Sequence, residues 1–261
     1  EEYKQIIVEA SNTLIKRYNE EVGAIRSWDF NKEVWQFPVI IDNMMNLEML
    51  FAATQYTGDS VYYDIAYQHA MTTIDNHFRE DHSTYHVIDY DTLSGKVRNR
   101  HTHQGAAHES AWARGQAWGL YGYTMAYGIT KEPKFLETAK NIAQLFFEHP
   151  NMPDDKVPYW DFDAPNIPNE PRDASAAAIA ASAMLELLEY DPAQKEQYLE
   201  WVDTILQTLG DEDYQSDTTP YILEHSVGSV PGDSEVDVPL TYADYYYVEA
   251  LLRRLAIEKT T

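Results

Sequence analysis

The helical stretches of this chain are of two kinds that alternate, and the alternation restricts the folds open to it. Residues 193–209 carry one apolar stripe (Tyr198, Trp201, Val202, Ile205, Leu206, Leu209), with Lys195, Glu196 and Asp203 elsewhere on the surface. Residues 173–190 are apolar nearly all round, through Ala176, Ala177, Ala178, Ile179, Ala180, Ala181, Met184 and Leu185. Residues 110–123 are similar, and Gly115, Gly119 and Gly122 there permit close backbone approach. A striped helix lies at the surface, whereas a helix apolar on every side must be enclosed. Two concentric rows of helices, an α/α barrel, satisfy that demand. An open solenoid of helical hairpins satisfies it as well.

The helices pair along the chain: 3–18 with 43–56, 60–78 with 109–128, 132–148 with 173–190, and 193–209 with 241–257. Long loops rich in Pro, Asp, His and aromatic residues join the members of a pair. Short turns at Thr57-Gly58-Asp59, Thr130-Lys131-Glu132-Pro133 and Asp191-Pro192 separate the pairs. The result is a weak repeat of helical hairpins, each about sixty residues long. The reading is therefore all-α, about four helical hairpins in one domain over residues 1–261. One stretch departs from it: 84–90, a turn at Ser94-Gly95, and 96–98 read as a small β-hairpin set in a loop.

Composition narrows the function. The chain of 261 residues has 19 Lys+Arg against 43 Asp+Glu, a formal charge of −24. Nucleic acid is excluded as a partner, because binding phosphates needs a dense basic surface; an anionic membrane surface is disfavoured for the same reason. No apolar run reaches the length of a membrane span, the longest, 174–188, being broken by Ser175, Ser182 and Glu186. With no cysteine there is no disulfide, thiolate metal site or cysteine nucleophile. The chain begins at Glu1 without a signal-peptide pattern, which reads as a processed or trimmed chain.

Three groups of residues could carry chemistry. His101, His103 and His108 are the nearest approach to a metal cluster, but the set lacks a third ligand at a helical or hairpin spacing, and loop histidines bonding backbone or substrate account for it; no metal or cofactor is expected. Trp112 and Trp118 flank Arg114 near the start of an enclosed helix. An indole face beside a guanidinium suits a sugar ring bearing a carboxylate, and equally suits two core tryptophans with an arginine in a structural ion pair. Asp42 follows Val39-Ile40-Ile41 and opens a largely apolar helix. An apolar setting would raise its pKa and let it act as a general acid, while the position also suits a helix N-cap.

Asp42-Asn43-Met44-Met45-Asn46-Leu47, Thr102-His103-Gln104-Gly105, the block from Ser110 to Gly122 containing Trp112-Ala113-Arg114-Gly115-Gln116-Ala117-Trp118, Tyr159-Trp160-Asp161-Phe162, Arg172-Asp173-Ala174-Ser175-Ala176 and Asp244-Tyr245-Tyr246-Tyr247 resemble the unsaturated glucuronyl hydrolases, in the family's order. Gln116-Ala117 favours the glucuronyl branch over the related unsaturated rhamnogalacturonyl hydrolases. The resemblance implies a six-hairpin α/α barrel with a funnel-shaped site and no cofactor. It also implies a hydrolase that protonates the C4=C5 vinyl ether of a lyase-generated uronide at C4 and helps water add at C5. The hemiketal then opens and releases the neighbouring sugar. By the same resemblance Asp42 is the acid and then the base, His86 and Gln104 line the site, Trp112 and Trp118 form its walls, Arg114 lies within it, and His225 approaches the substrate.

The expected partner is an unsaturated uronic-acid oligosaccharide, with the periplasm favoured over the cytosol. Alternatives are the rhamnogalacturonyl relative and a non-catalytic helical scaffold or sugar-binding protein. One departure stands out: the family carries a second important aspartate upstream of the position matching Asp42, and here the only earlier aspartate, Asp29, sits in a different context. Roughly the first quarter to third of a family chain has no counterpart, and four hairpins are visible where six are expected. An open barrel of that kind would expose apolar flanks.

Overall fold

The computed structural model of the chain describes residues 1–259. Eight α-helices are found there: α1 Glu2–Leu14, α2 Asn43–Thr57, α3 Val61–His77, α4 Ala113–Thr130, α5 Pro133–Glu148, α6 Ala174–Tyr190, α7 Lys195–Gly210 and α8 Thr241–Glu258. The even-numbered helices pack side by side in an inner row, α2 on α4, α4 on α6, α6 on α8; α1, α3, α5 and α7 lie outside them. This is the α/α-barrel arrangement, and the difference between the rows follows from side-chain pattern. Helix α6 buries all but three of its residues, whereas α5 and α7 bury one stripe each, Phe135, Ala139, Ile142, Ala143, Phe146 and Phe147 in the first and Tyr198, Trp201, Val202, Ile205 and Leu209 in the second.

Close approach of α2 and α4 depends on Gly122, where an added Cβ would lie 2.4 Å from Met44 Cβ. Glycine is the only residue that fits, and any larger one would push the helices apart. At the far end of the inner row α8 leaves Tyr245, Val248, Leu252 and Leu255 exposed. Among the described residues no helix is long and apolar enough to cross a membrane.

The strands are short and lie in the loops that join outer to inner helices. β1 (Tyr18–Asn19) pairs with β2 (Ala24–Ile25). The expected hairpin forms as β4 (Val87–Tyr90) and β5 (Val97–His101), and a third strand, β3 (Pro38–Ile40), joins β4 antiparallel to give the order β3-β4-β5. A further hairpin, β6 (Ser226–Ser229) with β7 (Ser234–Val238), precedes α8.

Candidate active site

The inner helices all start at one end of the molecule, and the residues at those starts converge. Asp42 precedes α2, Arg114 lies in the first turn of α4, Asp173 caps α6, and Tyr242 is in the first turn of α8. Arg114 ties three of these elements together. Its Nη1 donates to Asp173 Oδ2 at 3.1 Å and to the Val227 carbonyl, and Nη2 donates to the Gly228 carbonyl at 2.7 Å. Its guanidinium also sits over the Trp112 ring at 4.5 Å and within 5.5 Å of the Tyr242 ring centroid. Arg114 and Asp173 are both buried. The cation that the sequence offers to a substrate carboxylate is thus bonded inside the protein, as the structural ion-pair reading has it.

Sheet register places Ile41 opposite His86 and so brings the next residue, Asp42, beside it. Ile40 pairs with Val87, and Ile41 N–H donates to the His86 carbonyl at 3.1 Å. The two residues just beyond that ladder, Asp42 and His86, therefore lie side by side. The Asp42 side chain makes no capping hydrogen bond to α2, in contrast to Asp173, which accepts from Ser175 N and Ala176 N. Its Oδ2 is buried without a hydrogen-bond partner and lies 3.7 Å from His86 Nε2, itself unpartnered. The carboxyl keeps 15% exposure, so it is enclosed yet reachable.

The protonation states follow from the surroundings. His86 Nδ1 accepts the backbone N–H groups of His103 at 3.0 Å and Gln104 at 3.1 Å. A nitrogen that accepts two N–H bonds carries no hydrogen, so in the neutral ring the hydrogen is on Nε2, the atom facing Asp42. Burial first, then the positive potential of His103, Arg114 and His77, holds the His86 pKa well below the ordinary histidine range. Asp42 moves the other way. Burial pushes its pKa up from 3.8 to about 6, against the opposing pull of the Arg114 charge. The site thus pairs a carboxyl that can hold a proton near neutrality with a neutral imidazole that can only donate to it.

The loop that supplies those amides is itself held from below. Buried Asp161 accepts Ala106 N at 2.8 Å and Ser110 Oγ at 2.7 Å. A Cβ on Gly105 would lie 2.7 Å from Thr102 Oγ1 and 3.0 Å from Asp161 Oδ2. Gln104 Nε2 donates to the Gly228 carbonyl at 2.9 Å, linking the loop to β6.

Trp112 is buried with its ring 4.6 Å from that of His86, and Trp118 is buried against Tyr242 and Tyr246. His225 stands at the edge, its Nδ1 bonded to Asp237 Oδ1 at 2.6 Å. The rings of His101 and His108 lie 4.3 Å apart, while His103 packs on Trp28 and Phe30; among the described residues no group of three potential metal ligands occurs.

Comparison with known proteins agrees with this architecture. No family model matches the chain. A crystal structure of an unsaturated glucuronyl hydrolase specific for heparin superposes with a TM-score of 0.92 at 53% identity, over 97% of this chain and 68% of that one. An unsaturated glucuronyl hydrolase of a Bacillus species is 34% identical over 261 residues, covering 97% of this chain and 68% of the relative. The chain belongs to the unsaturated glucuronyl hydrolase family. A third relative, the unsaturated glucuronyl hydrolase of Formosa agariphila, is 54% identical over 255 residues. This chain spans 63% of that relative's length.

Within this glucuronyl hydrolase fold, sequence reasoning missed two residues of the cluster, Asp173 as the partner of Arg114 and Tyr242. A signal existed for both. If the inner helices start at one end, polar or aromatic residues that cap an inner helix or sit in its first turn gather at that end, and both residues meet that condition.

Proposed function

We propose that this chain carries the reaction centre of a hydrolase that removes 4,5-unsaturated glucuronate from lyase-generated oligosaccharides by hydrating the C4=C5 bond. The observation that carries the reading is the Asp42 carboxyl: raised to about 6, uncapped, partly exposed, and facing the neutral His86 ring. A general acid works best with a pKa near the operating pH.

With His86 Nε2–H on the side of Oδ2, at 3.7 Å, Oδ1 is the oxygen left to carry the proton. Asp42 gives that proton to C4, and the ring-oxygen lone pair stabilises the cation left at C5. Water then attacks C5 and its proton passes to the Asp42 carboxylate, so that the acid is regenerated and one water has added across the double bond. The C5 hemiketal opens to a ketone, which leaves a hemiacetal at C1. Its collapse to the aldehyde releases the neighbouring sugar as an alcohol.

In this reading Arg114 acts at a distance, as a fixed charge that lowers the Asp42 pKa from where burial alone would set it. Gln104, Trp112 and Trp118 shape the enclosure and His225 stands at its edge. The substrate is an unsaturated uronic-acid oligosaccharide.

The test is loss of the ultraviolet absorbance of the conjugated double bond when the protein meets an unsaturated glucuronyl disaccharide. Asp42→Asn should lower the rate by about 10²–10⁴. Undiminished turnover in that variant would show that the acid lies elsewhere.

A further inference from the structure

From residue 102 to 111 the chain forms neither helix nor strand, yet it is held at nearly every step. The consecutive amides from His103 to Ala107 each donate to a side chain rather than to backbone. His103 and Gln104 N–H reach His86 Nδ1, and Gly105 N–H reaches Thr102 Oγ1 at 2.7 Å. Ala106 N–H reaches Asp161 Oδ2 at 2.8 Å, and Ala107 N–H reaches Ser110 Oγ at 3.0 Å. Ser110 Oγ in turn donates to Asp161 Oδ2 at 2.7 Å. The path of the loop, and with it the aim of the two amides on His86, is set by the side chains of His86, Thr102, Ser110 and Asp161. Only Asp161 among these is a carboxylate.

Asp161 is fully buried, and among the described residues no cation pairs with it. A buried carboxylate without a cation is costly, and hydrogen bonds have to offset that cost. Its donors are Ala106 N–H and Ser110 Oγ, both on Oδ2, and Asp163 N–H on Oδ1 at 2.9 Å. The first two belong to the loop. The segment around Asp161 is fastened to the foot of α4 by other bonds: Ala111 N–H donates to Asp163 Oδ2 at 2.8 Å, Phe162 N–H to the Ala111 carbonyl at 3.0 Å, and Ala113 N–H to the Trp160 carbonyl at 3.1 Å. The Asp161 carboxyl is therefore not what anchors its own segment. What it adds is a grip on the loop.

We infer that Asp161 is a positioning residue for the hydration reaction: it holds the 103–107 loop so that two amides stay on His86 Nδ1 and the ring keeps its hydrogen on Nε2, toward Asp42. This role rests on the proposed function, which makes Asp42 the acid. With the loop released, Nδ1 is open to a proton. The charged and titratable groups facing His86 are Asp42 ahead of α2, His77 on α3, His103 in the loop and Arg114 on α4. Of these only Asp42 attracts a positive ring. An imidazolium beside Asp42 favours the charged carboxylate and lowers its pKa, so the acid gives up its proton before substrate arrives.

The experiment compares Asp161→Ala, Asp161→Asn and Ser110→Ala with the unaltered protein by two readouts. One is nitrogen NMR of the His86 ring without substrate, and the other is the pH profile of kcat/KM on an unsaturated glucuronyl disaccharide. The unaltered protein should show a neutral ring with its hydrogen on Nε2 at about pH 7. In Asp161→Ala a hydrogen should appear on Nδ1, and kcat should fall about tenfold to a hundredfold with KM little changed. The basic limb of its profile should move down by about one pH unit or more. Asp161→Asn can still present an oxygen to Ala106 N–H and Ser110 Oγ, and it should recover most of the rate. Ser110→Ala removes one of the two loop bonds to Asp161 and should move both readouts the same way by less; it decides the matter if Asp161→Ala does not fold. Ring signals and a basic limb unchanged in the folded variants would overturn the role, as would a rate loss with the pH profile unmoved. Asp161→Asn no better than Asp161→Ala would place the effect in the charge and overturn the grip on the loop. If the ring signals change as described while the unaltered protein consumes no unsaturated sugar, the hold on His86 stands and the hydration reading falls.

Discussion

Asp42 has to be neutral before the proton leaves and charged after it, and its burial penalises the second state. The folded protein holds the carboxyl at about 6 against 3.8 in the unfolded chain, so between those values the folded form binds more protons than the unfolded one. The contribution of Asp42 to stability therefore falls as pH rises from about 4 to about 6, by an amount on the order of 3 kcal/mol for a shift of about two pKa units. Asp42→Asn, which removes that charge, is expected to raise the urea midpoint at pH 7 while it removes activity, and to lose this advantage near pH 4. A variant less stable than its parent at pH 7 would show that the charged carboxyl is not strained. The rate has the matching profile. With a general acid of pKa about 6, kcat/KM should fall tenfold per pH unit above that value. At this scale the sequence revealed much. The apolar run before Asp42 announces a desolvated carboxyl, but the partner of Arg114 stays hidden, because Asp173 lies 59 residues away and only the folded chain brings them together.

Between elements, the same arginine decides how α4, α6 and β6 are joined. Removing one member of a buried ion pair leaves the other charge uncompensated, which costs about 3–5 kcal/mol. Arg114→Met should lose stability of that size in urea unfolding, and adding Asp173→Asn should restore most of it; a double variant no better than the single one would mean the pair carries no such strain. Helix α3 holds a second set of buried groups. His69 Nδ1 accepts Ile25 N–H at 3.0 Å and His77 Nε2 bonds the Val39 carbonyl at 3.1 Å, which fastens α3 to β2 and β3. Burial lowers their pKa values from 6.5 to about 3 and about 4. Their folded pKa values are depressed, so the unfolded chain takes up protons first, and stability is lost as pH drops below 6.5 toward 4, each histidine contributing up to about 1.4 kcal/mol per pH unit. Two histidines outweigh the opposite slope of Asp42. Urea midpoints should fall across that range, and His77→Gln should flatten the dependence; an unchanged slope would assign acid sensitivity to other groups. The helices themselves were legible, because the period of their apolar residues persists over 13 to 18 residues. Strands β3, β6 and β7 were not. They run for three to five residues, and β3 finds its partner some fifty positions along the chain, so no local pattern marks it.

Across the whole molecule, two electrostatic ranges compete for an anionic substrate. At separations larger than the spacing of the surface charges, but within a Debye length, the net charge of −24 governs, and it repels a uronate. Within contact distance the local arrangement governs, and near Asp42 the charge of Arg114 opposes the effect of burial on its carboxyl. Salt separates the two, since raising ionic strength from 0.01 to 0.15 M shortens the Debye length from about 30 Å to about 8 Å. For an unsaturated disaccharide, screening removes repulsion and kcat/KM should rise over this range while kcat stays level. A steady-state series across that range of ionic strength tests this directly. A kcat/KM for the disaccharide that does not change with salt would mean that the long-range field has no part in the association.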